Sequence, residues 1–316
     1  MISAKKSSIK RILIIIITAL VVFSAVSMVA TTIIYDSIFT RFDADDTKIP
    51  QELFQMVENR QKQEYYSGEN RLSGYLYHSN TKETKDTLII FAPGFRASMD
   101  NYLWQIKSLL DYGWSVFAFD TTGSCESEGD SAVGFSQELC DMKATLNYVE
   151  KNKRFGYNKI VLLGHSRGGY AACCALGYDY DVSAVVSLSG INSAMEGVIG
   201  SATEYVGPLA YGNYGFLWIY QAVLFGSDTL NMSAEKEISE SSVPVLIVHG
   251  ANDAQVPIDR FSIYSHKDEI KSDKVEYIIC DKENQDGHLS LLFDADGTAN
   301  DQLMAEINEF LTKKIK

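Results

Sequence analysis

Short apolar runs alternate with longer amphipathic segments along most of the chain. The short runs are rich in β-branched and aromatic residues and predict strands, because strands buried on both faces consist of nearly continuous apolar residues. The longer segments have apolar residues at helical spacing. This alternation predicts an α/β fold with a mostly parallel, doubly wound sheet. The predicted strands are 72–78, 87–92, 114–119, 159–163, 184–188, 243–249 and 274–280, and the predicted helices include 99–111, 135–153 and 299–313.

The N-terminal apolar run is longer than the others. Residues 12–34 carry no charge, and about 23 residues at 1.5 Å each are enough to cross a hydrocarbon core. Lysine and arginine lie within residues 1–11, whereas aspartates dominate residues 36–46. The positive-inside rule therefore predicts a single-pass anchor with a cytoplasmic N-terminus and the remaining chain outside. A signal peptide cleaved near Ala25-Val26-Ser27, giving a secreted protein, is the alternative.

The composition after this run predicts the domain organisation. Residues 35–70 are polar and charged and predict a stalk, with helical spacing from Gln51 to Tyr66. Residues 71–316 are enough for one large folded domain. Within that domain, residues 190–242 are rich in glycine and aromatic side chains and exceed what the strand and helix alternation needs.

Charge and cysteine usage exclude several classes of function. A net charge of −13 argues against a nucleic-acid partner, because phosphate binding needs a basic surface. No clustered cysteine or histidine pattern indicates a metal site, and no cofactor is expected. The five cysteines cannot all pair, and Cys125 and Cys140 are the one candidate pair for a disulfide. The sequence does not indicate an oligomeric state.

The strongest chemical signal is the run Gly-His-Ser-Arg-Gly at residues 164–168, between the strand 159–163 and a small-residue run. A serine in this context stands on a tight strand-to-helix turn with its hydroxyl exposed above the sheet. Ser166 is therefore the candidate nucleophile, and the backbone N–H of Arg167 is a candidate oxyanion donor. We expect His165 to point away from the hydroxyl.

Two loops at the ends of predicted strands carry the other candidate catalytic residues. Asp253 follows the strand 243–249, and His288 follows the last predicted strand. A serine hydroxyl is a poor nucleophile at neutral pH, so His288 would accept its proton while Asp253 orients the imidazole. Asp253 has a simpler alternative role as the cap of a helix starting near Pro257.

The motif and the chain order Ser166, Asp253, His288 resemble the α/β-hydrolase superfamily over residues 71–316. The nearest resemblance is to serine hydrolases with a lid, namely monoacylglycerol-lipase-like esterases and serine-aminopeptidase-like peptidases. This resemblance implies that residues 190–242 form the lid. It also implies a second oxyanion donor in the loop after strand 87–92, which we assign to the N–H of Phe95, although Pro93 replaces the family's usual histidine.

The resemblance and the N-terminal run together predict a membrane-anchored serine hydrolase. Its substrate would be a small-molecule ester or a lipid-like ester, cleaved through an acyl-enzyme on Ser166. Peptidase, amidase or acyltransferase activity with the same triad, or a catalytically silent binding protein, are the alternatives. Candidate substrate contacts are Arg96, near the oxyanion loop, and the lid aromatics Tyr214 and Trp218.

Overall fold

The computed structural model describes residues 2–44, 51–57, 60–79 and 85–315. Its centre is one sheet of eight strands, β1 (Gln61–Ser67), β2 (Asn70–Tyr77), β3 (Thr87–Ala92), β4 (Ser115–Phe119), β5 (Lys159–His165), β6 (Val182–Leu188), β7 (Val245–Gly250) and β8 (Val275–Cys280). The strand order is β1-β2-β4-β3-β5-β6-β7-β8. Strand β2 is antiparallel to β1 and β4, and the remaining pairs are parallel. The predicted α/β class with a mostly parallel sheet is confirmed.

Helices cover both faces of the sheet. They are α1 (Ile2–Ile38), α2 (Gln51–Met56), α3 (Leu103–Asp111), α4 (Phe135–Lys151), α5 (Arg167–Cys174), α6 (Ala194–Val206), α7 (Tyr214–Phe225), α8 (Ser227–Leu230), α9 (Ala234–Glu240) and α10 (Asp301–Lys314). Alternate residues of β3 point to opposite sides, Leu88 and Ile90 toward the cluster that contains α4 and α5, and Ile89 and Phe91 toward the one that contains α3 and α10. Burial on both faces explains the continuous apolar strand sequences.

The helix predicted from Gln51 to Tyr66 is wrong in its second half. Helix α2 ends at Met56, and β1 begins at Gln61 and pairs with β2. Tyr65 is buried whereas Tyr66 is 66% exposed, an alternation typical of an edge strand with one covered face. Residues 45–50 and 58–59 of the predicted stalk lie outside the described part of the chain.

Helix α1 is longer than the predicted span 12–34, because it continues without a break to Ile38. Lys10–Ile38, with a mean hydropathy of 2.9 over its most apolar 18 residues, is the one helix among the described residues that is long and apolar enough to cross a membrane. Both membrane anchors and signal sequences meet this criterion. The side chains buried in its second half are Ser27, Thr31 and Tyr35. They recur at every fourth position, which puts them on one face of the helix, and Phe39, the residue after the helix, is also buried.

The chain that follows α1 packs directly on the sheet domain. The N–H of Phe42 donates to Gly123 at 3.0 Å, and the carbonyl of Phe42 accepts from Cys125 at 2.8 Å. At Gly134 a Cβ atom would lie 1.9 Å from the Tyr35 hydroxyl. The end of α1 and the first residues of the predicted stalk are therefore held against the domain. Cys125 is not disulfide-bonded to Cys140.

The segment between β6 and β7 is largely helical. It comprises α6, a 3-10 stretch at Gly207–Asn213, and helices α7, α8 and α9. Helix α6 contacts α4 of the domain, and α7 packs against α1. We call residues 190–242 the lid from here on.

Candidate active site

The candidate nucleophile lies on a tight turn between β5 and α5. Ser166 has φ 56° and ψ −118°, a strained conformation that non-glycine residues rarely adopt. Its N–H donates to Leu188 at 2.7 Å, which ties the turn to β6. At Gly164 a Cβ atom would lie 2.1 Å from the carbonyl oxygen of Gly168. The glycines are needed because β5 and α5 leave no room for a side chain there.

Asp253 and His288 are in direct contact. The Nδ1 atom of His288 lies 2.7 Å from Oδ2 of Asp253. Because a carboxylate only accepts, Nδ1 carries the proton and Nε2 is left as the basic nitrogen. The other carboxylate oxygen, Oδ1, accepts from the N–H groups of Gln255 at 2.9 Å and Val256 at 2.8 Å. Asp253 therefore caps the following turn with one oxygen and holds the imidazole with the other.

The surroundings keep Asp253 ionised. Its burial acts to raise the pKa of Asp253, but the hydrogen bond and charge of His288, together with the N–H of Val256, hold this pKa below its usual value. A second histidine, His249, lies 3.5 Å from Oδ2 and bonds the carbonyl of Val256 at 2.8 Å. Burial lowers the pKa of His249, so that this histidine stays neutral and leaves the negative charge of Asp253 to His288.

The loop after β3 and the first residue of α5 are the two segments that could supply oxyanion donors to the serine. Arg167 is the first residue of α5, and the first N–H groups of a helix have no partner inside the helix. Phe95 follows Gly94, at which a Cβ atom would lie 3.4 Å from Cβ of Ser166. The loop after β3 therefore lies against the nucleophile turn. This is the arrangement expected of an oxyanion site, in which the N–H groups of Phe95 and Arg167 are the proposed donors.

A buried chain of hydrogen bonds, which the sequence did not indicate, joins the three loops. Gly94 donates its N–H to the hydroxyl of Tyr102 at 2.9 Å, and this hydroxyl lies 2.9 Å from Nδ1 of His165. Nε2 of His165 lies 2.9 Å from the carbonyl of His288. Since Tyr102 accepts from Gly94, it donates to Nδ1, and His165 donates from Nε2. Burial lowers the pKa of His165 to about 3, which keeps the ring neutral as this pattern requires.

His165 therefore connects the candidate base to the nucleophile turn. Its ring centroid lies 4.8 Å from that of His288, and it directly precedes Ser166 in the chain. Ser166 is 9% exposed, His288 7% and Asp253 4%, so all three candidates lie below the surface. The position of His165 inside the motif was the one sequence signal for this role. Its hydrogen-bond partners, Tyr102 and the carbonyl of His288, are distant in the sequence.

Comparison with known proteins identifies the fold family. A family model described as alpha/beta hydrolase fold matches residues 87–206, the region that contains β3 to β6 and the nucleophile turn. The chain therefore has the α/β-hydrolase fold, and the family match covers residues 87–206. Among curated proteins, this hydrolase-fold chain is 29% identical over 175 residues to the uncharacterized protein YfhR of Salmonella typhimurium. That match covers 54% of this chain and 55% of YfhR, so the chain spans about half the length of that relative.

Solved structures share the same α/β-hydrolase fold. The Pyrococcus furiosus esterase Pf2001 superposes with a TM-score of 0.65 at 18% identity, covering 88% of this chain and 100% of the esterase. Est1E from Butyrivibrio proteoclasticus, solved with ferulic acid bound, gives a TM-score of 0.59 at 20% identity, covering 80% of this chain and 99% of Est1E. At these identities the likeness shows the fold.

In this α/β-hydrolase fold the Arg167 side chain faces inward and not toward a substrate. Its guanidinium is 1% exposed and pairs with Glu138 on α4 at 2.8 Å. It also donates to Thr121 at 2.8 Å and lies over the ring of Phe95. Burial raises the pKa of Glu138 to about 8, and the charge of Arg167 only partly opposes this rise. The partner acid is distant in sequence, so local spacing could not identify it.

The three candidate substrate contacts occupy different surroundings. Arg96 is exposed and donates to the carbonyl of Ile38 at the end of α1 at 3.2 Å. Tyr214 is 45% exposed on α7. Trp218 is partly buried and donates to Asn231 at 3.4 Å. None of the three forms a hydrogen bond with a candidate catalytic residue within the described part of the chain, so their substrate contacts remain predictions.

Proposed function

We propose that this protein is a serine hydrolase that cleaves an ester through an acyl-enzyme on Ser166. The observation that carries the proposal is the 2.7 Å contact between His288 and Asp253, and the strained strand-to-helix turn that holds Ser166 supports it. A carboxylate that holds Nδ1–H leaves Nε2 free to accept a proton, which is the requirement for a general base. Esterase names among the structural neighbours favour an ester over an amide substrate.

The proposed reaction begins when Oγ of Ser166 attacks the ester carbonyl carbon while Nε2 of His288 takes the hydroxyl proton. Negative charge then develops on the carbonyl oxygen, and the N–H groups of Phe95 and Arg167 stabilise it. His288 gives its proton to the leaving alcohol as the ester bond breaks. In the second half, Nε2 of His288 takes a proton from a water molecule, whose oxygen attacks the acyl carbon. The bond between Oγ and the acyl carbon then breaks, His288 returns its proton to Oγ of Ser166, and the acid is released.

We also propose that α1 is a retained membrane anchor with a cytoplasmic N-terminus and the hydrolase domain outside. The charge difference across the apolar span supports this orientation. Retention is supported by the packing of the helix, because Ser27, in the candidate cleavage segment, is only 9% exposed. Signal peptidase would have to unwind the helix around Ser27 before it could cleave the chain. Protease added to intact cells should digest the hydrolase domain, and complete protection would contradict this orientation.

A fluorophosphonate probe tests the serine mechanism, because it reacts only with an activated serine. We expect the full-length protein in detergent to be labelled, with labelling lost in Ser166→Ala and reduced at least 1000-fold in rate in His288→Ala. Ser227→Ala, an exposed serine of the lid, is the matched control and should label like the parent. Labelling that persists in Ser166→Ala, or absence of labelling in the folded parent, would contradict the proposal.

A further inference from the structure

The lid exposes apolar side chains in an unusual concentration. Residues 205–227 contain no charged side chain. Soluble domains do expose single apolar residues, but a contiguous group marks a contact surface. The exposed members of this group, which we call the lid apolar surface, are Leu209 (78%), Val223 (78%), Tyr211 (55%), Ile219 (46%), Tyr214 (45%) and Leu224 (39%).

The lid apolar surface lies next to the helix proposed to cross the membrane. The ring of Tyr220 on α7 packs edge-on against Tyr35 of α1 at 5.3 Å. Its hydroxyl donates to Asp36 at 2.7 Å, and the Tyr35 hydroxyl lies 3.4 Å from Gln221. Asp36 is two residues beyond the apolar span, so these contacts join α7 to α1 at the level where that span ends.

The burial of α1 extends deeper than this junction. Ser27 and Thr31 are 9% and 7% exposed, although both lie within the apolar span, and α7 is the lid helix that packs against α1. Ser27 precedes the end of the span at Ile34 by seven residues, which is about 10 Å along a helix axis. Interfacial elements bury their apolar faces about 5–10 Å into a bilayer. Part of the lid therefore reaches the depth of the acyl chains.

We propose that the lid apolar surface is embedded in the outer leaflet beside α1 and that the site receives its substrate from the bilayer. Continuity with the anchor identifies the partner as a lipid surface, and the absence of charge from residues 205–227 makes immersion inexpensive. The substrate class is then an ester with long acyl chains that resides in the membrane. The surface rests on the proposed membrane span, and the substrate class rests on the proposed esterase activity.

Photocrosslinking in vesicles identifies what covers the surface. Full-length Val223→p-benzoylphenylalanine is reconstituted into vesicles of phosphatidylcholine and phosphatidylglycerol and irradiated. We expect crosslinks to phospholipid acyl chains, detected by mass spectrometry. Tyr66→p-benzoylphenylalanine, at an exposed aromatic position on β1, is the matched control and should give at least fivefold fewer lipid adducts. Crosslinks from position 223 to a second copy of the chain, or lipid adducts no more frequent than at position 66, would overturn the proposal.

Charge placed in the surface tests substrate delivery. We expect Leu209→Asp and Val223→Asp together to lower turnover of a long-chain ester dispersed in the vesicles at least tenfold, and to leave turnover of a short water-soluble ester within twofold. Tyr66→Asp should change neither. Equal loss on both substrates, or no loss on the vesicle substrate, would contradict delivery from the bilayer. If the parent hydrolyses neither ester while position 223 still crosslinks to lipid, the esterase proposal fails and the membrane contact stands.

Discussion

Removing the cation of the Arg167 and Glu138 pair tests how the nucleophile turn is supported. The two side chains are 1% and 0% exposed and lie 2.8 Å apart. Arg167→Met keeps a similar apolar volume but leaves Glu138 buried without its partner. Breaking such a pair by removal of one member costs about 3–5 kcal/mol. For a domain of this size, each kcal/mol lowers the melting temperature by about 2–4 °C, so we expect a decrease of about 6–20 °C.

A double-mutant cycle separates the pair from the general effect of each substitution. We expect Glu138→Met in the Arg167→Met background to recover most of the lost stability, because replacing both members removes the buried carboxyl group that has lost its partner. The assay is thermal unfolding of the full-length protein in detergent, followed by circular dichroism at neutral pH. Arg154→Met, which removes two surface ion pairs, is the control and should shift the melting temperature by less than 3 °C. Additive losses in the double variant, or a single-variant shift no larger than the control's, would refute the reasoning.

Two further predictions concern the lid and the nucleophile turn. The carboxylate of Glu196 on α6 lies 3.2 Å from Nε2 of His266 and raises the pKa of His266 to about 9. A histidine whose pKa is raised by folding stabilises the fold fully below about pH 6.5, and this stabilisation is lost as the pH rises through about 9. His266→Gln should therefore lower stability by about 1 kcal/mol at pH 6 and by much less at pH 10 in urea unfolding, and an equal loss at both pH values would count against the pair. At Gly168, a Cβ atom would lie 2.3 Å from the Ala92 carbonyl oxygen and 2.6 Å from that of Pro93, so Gly168→Ala should displace the oxyanion loop and lower kcat at least 100-fold; unchanged kcat would show that the loop tolerates the methyl group.

Features of the candidate active site that depend on local sequence could be predicted. The turn around Ser166 needs a strand before it, a helix after it and glycine at two defined positions, and all of these are local. The seven strands were recognisable because burial on both faces makes each an apolar run. The candidate roles of Asp253 and His288 followed from where the strands end, and they remain predictions of chemistry even though the two side chains are in contact.

Features that depend on distant partners could not be predicted. The strand β1 has alternating exposure that becomes meaningful only when β2 pairs with it. The acid that neutralises Arg167 comes from α4, and the hydroxyl that orients His165 comes from Tyr102. The contact between α7 and the end of α1 has a still larger sequence separation, because it joins residues more than 180 positions apart. Hydrophobic spacing indicates which face of a helix is apolar but not what covers it.

The rigid joint at the end of α1 has a mechanical consequence. With Phe42 bonded on both sides into the domain and Tyr35 wedged against Gly134, the domain cannot swivel about its anchor when that helix spans a bilayer. Its height and tilt are then constant, and its remaining motions are lateral diffusion and spinning about the membrane normal. The domain then meets other molecules of the same leaflet by diffusion in the plane of the membrane, at a fixed height and orientation. Molecules that stay away from the lipid surface do not reach it.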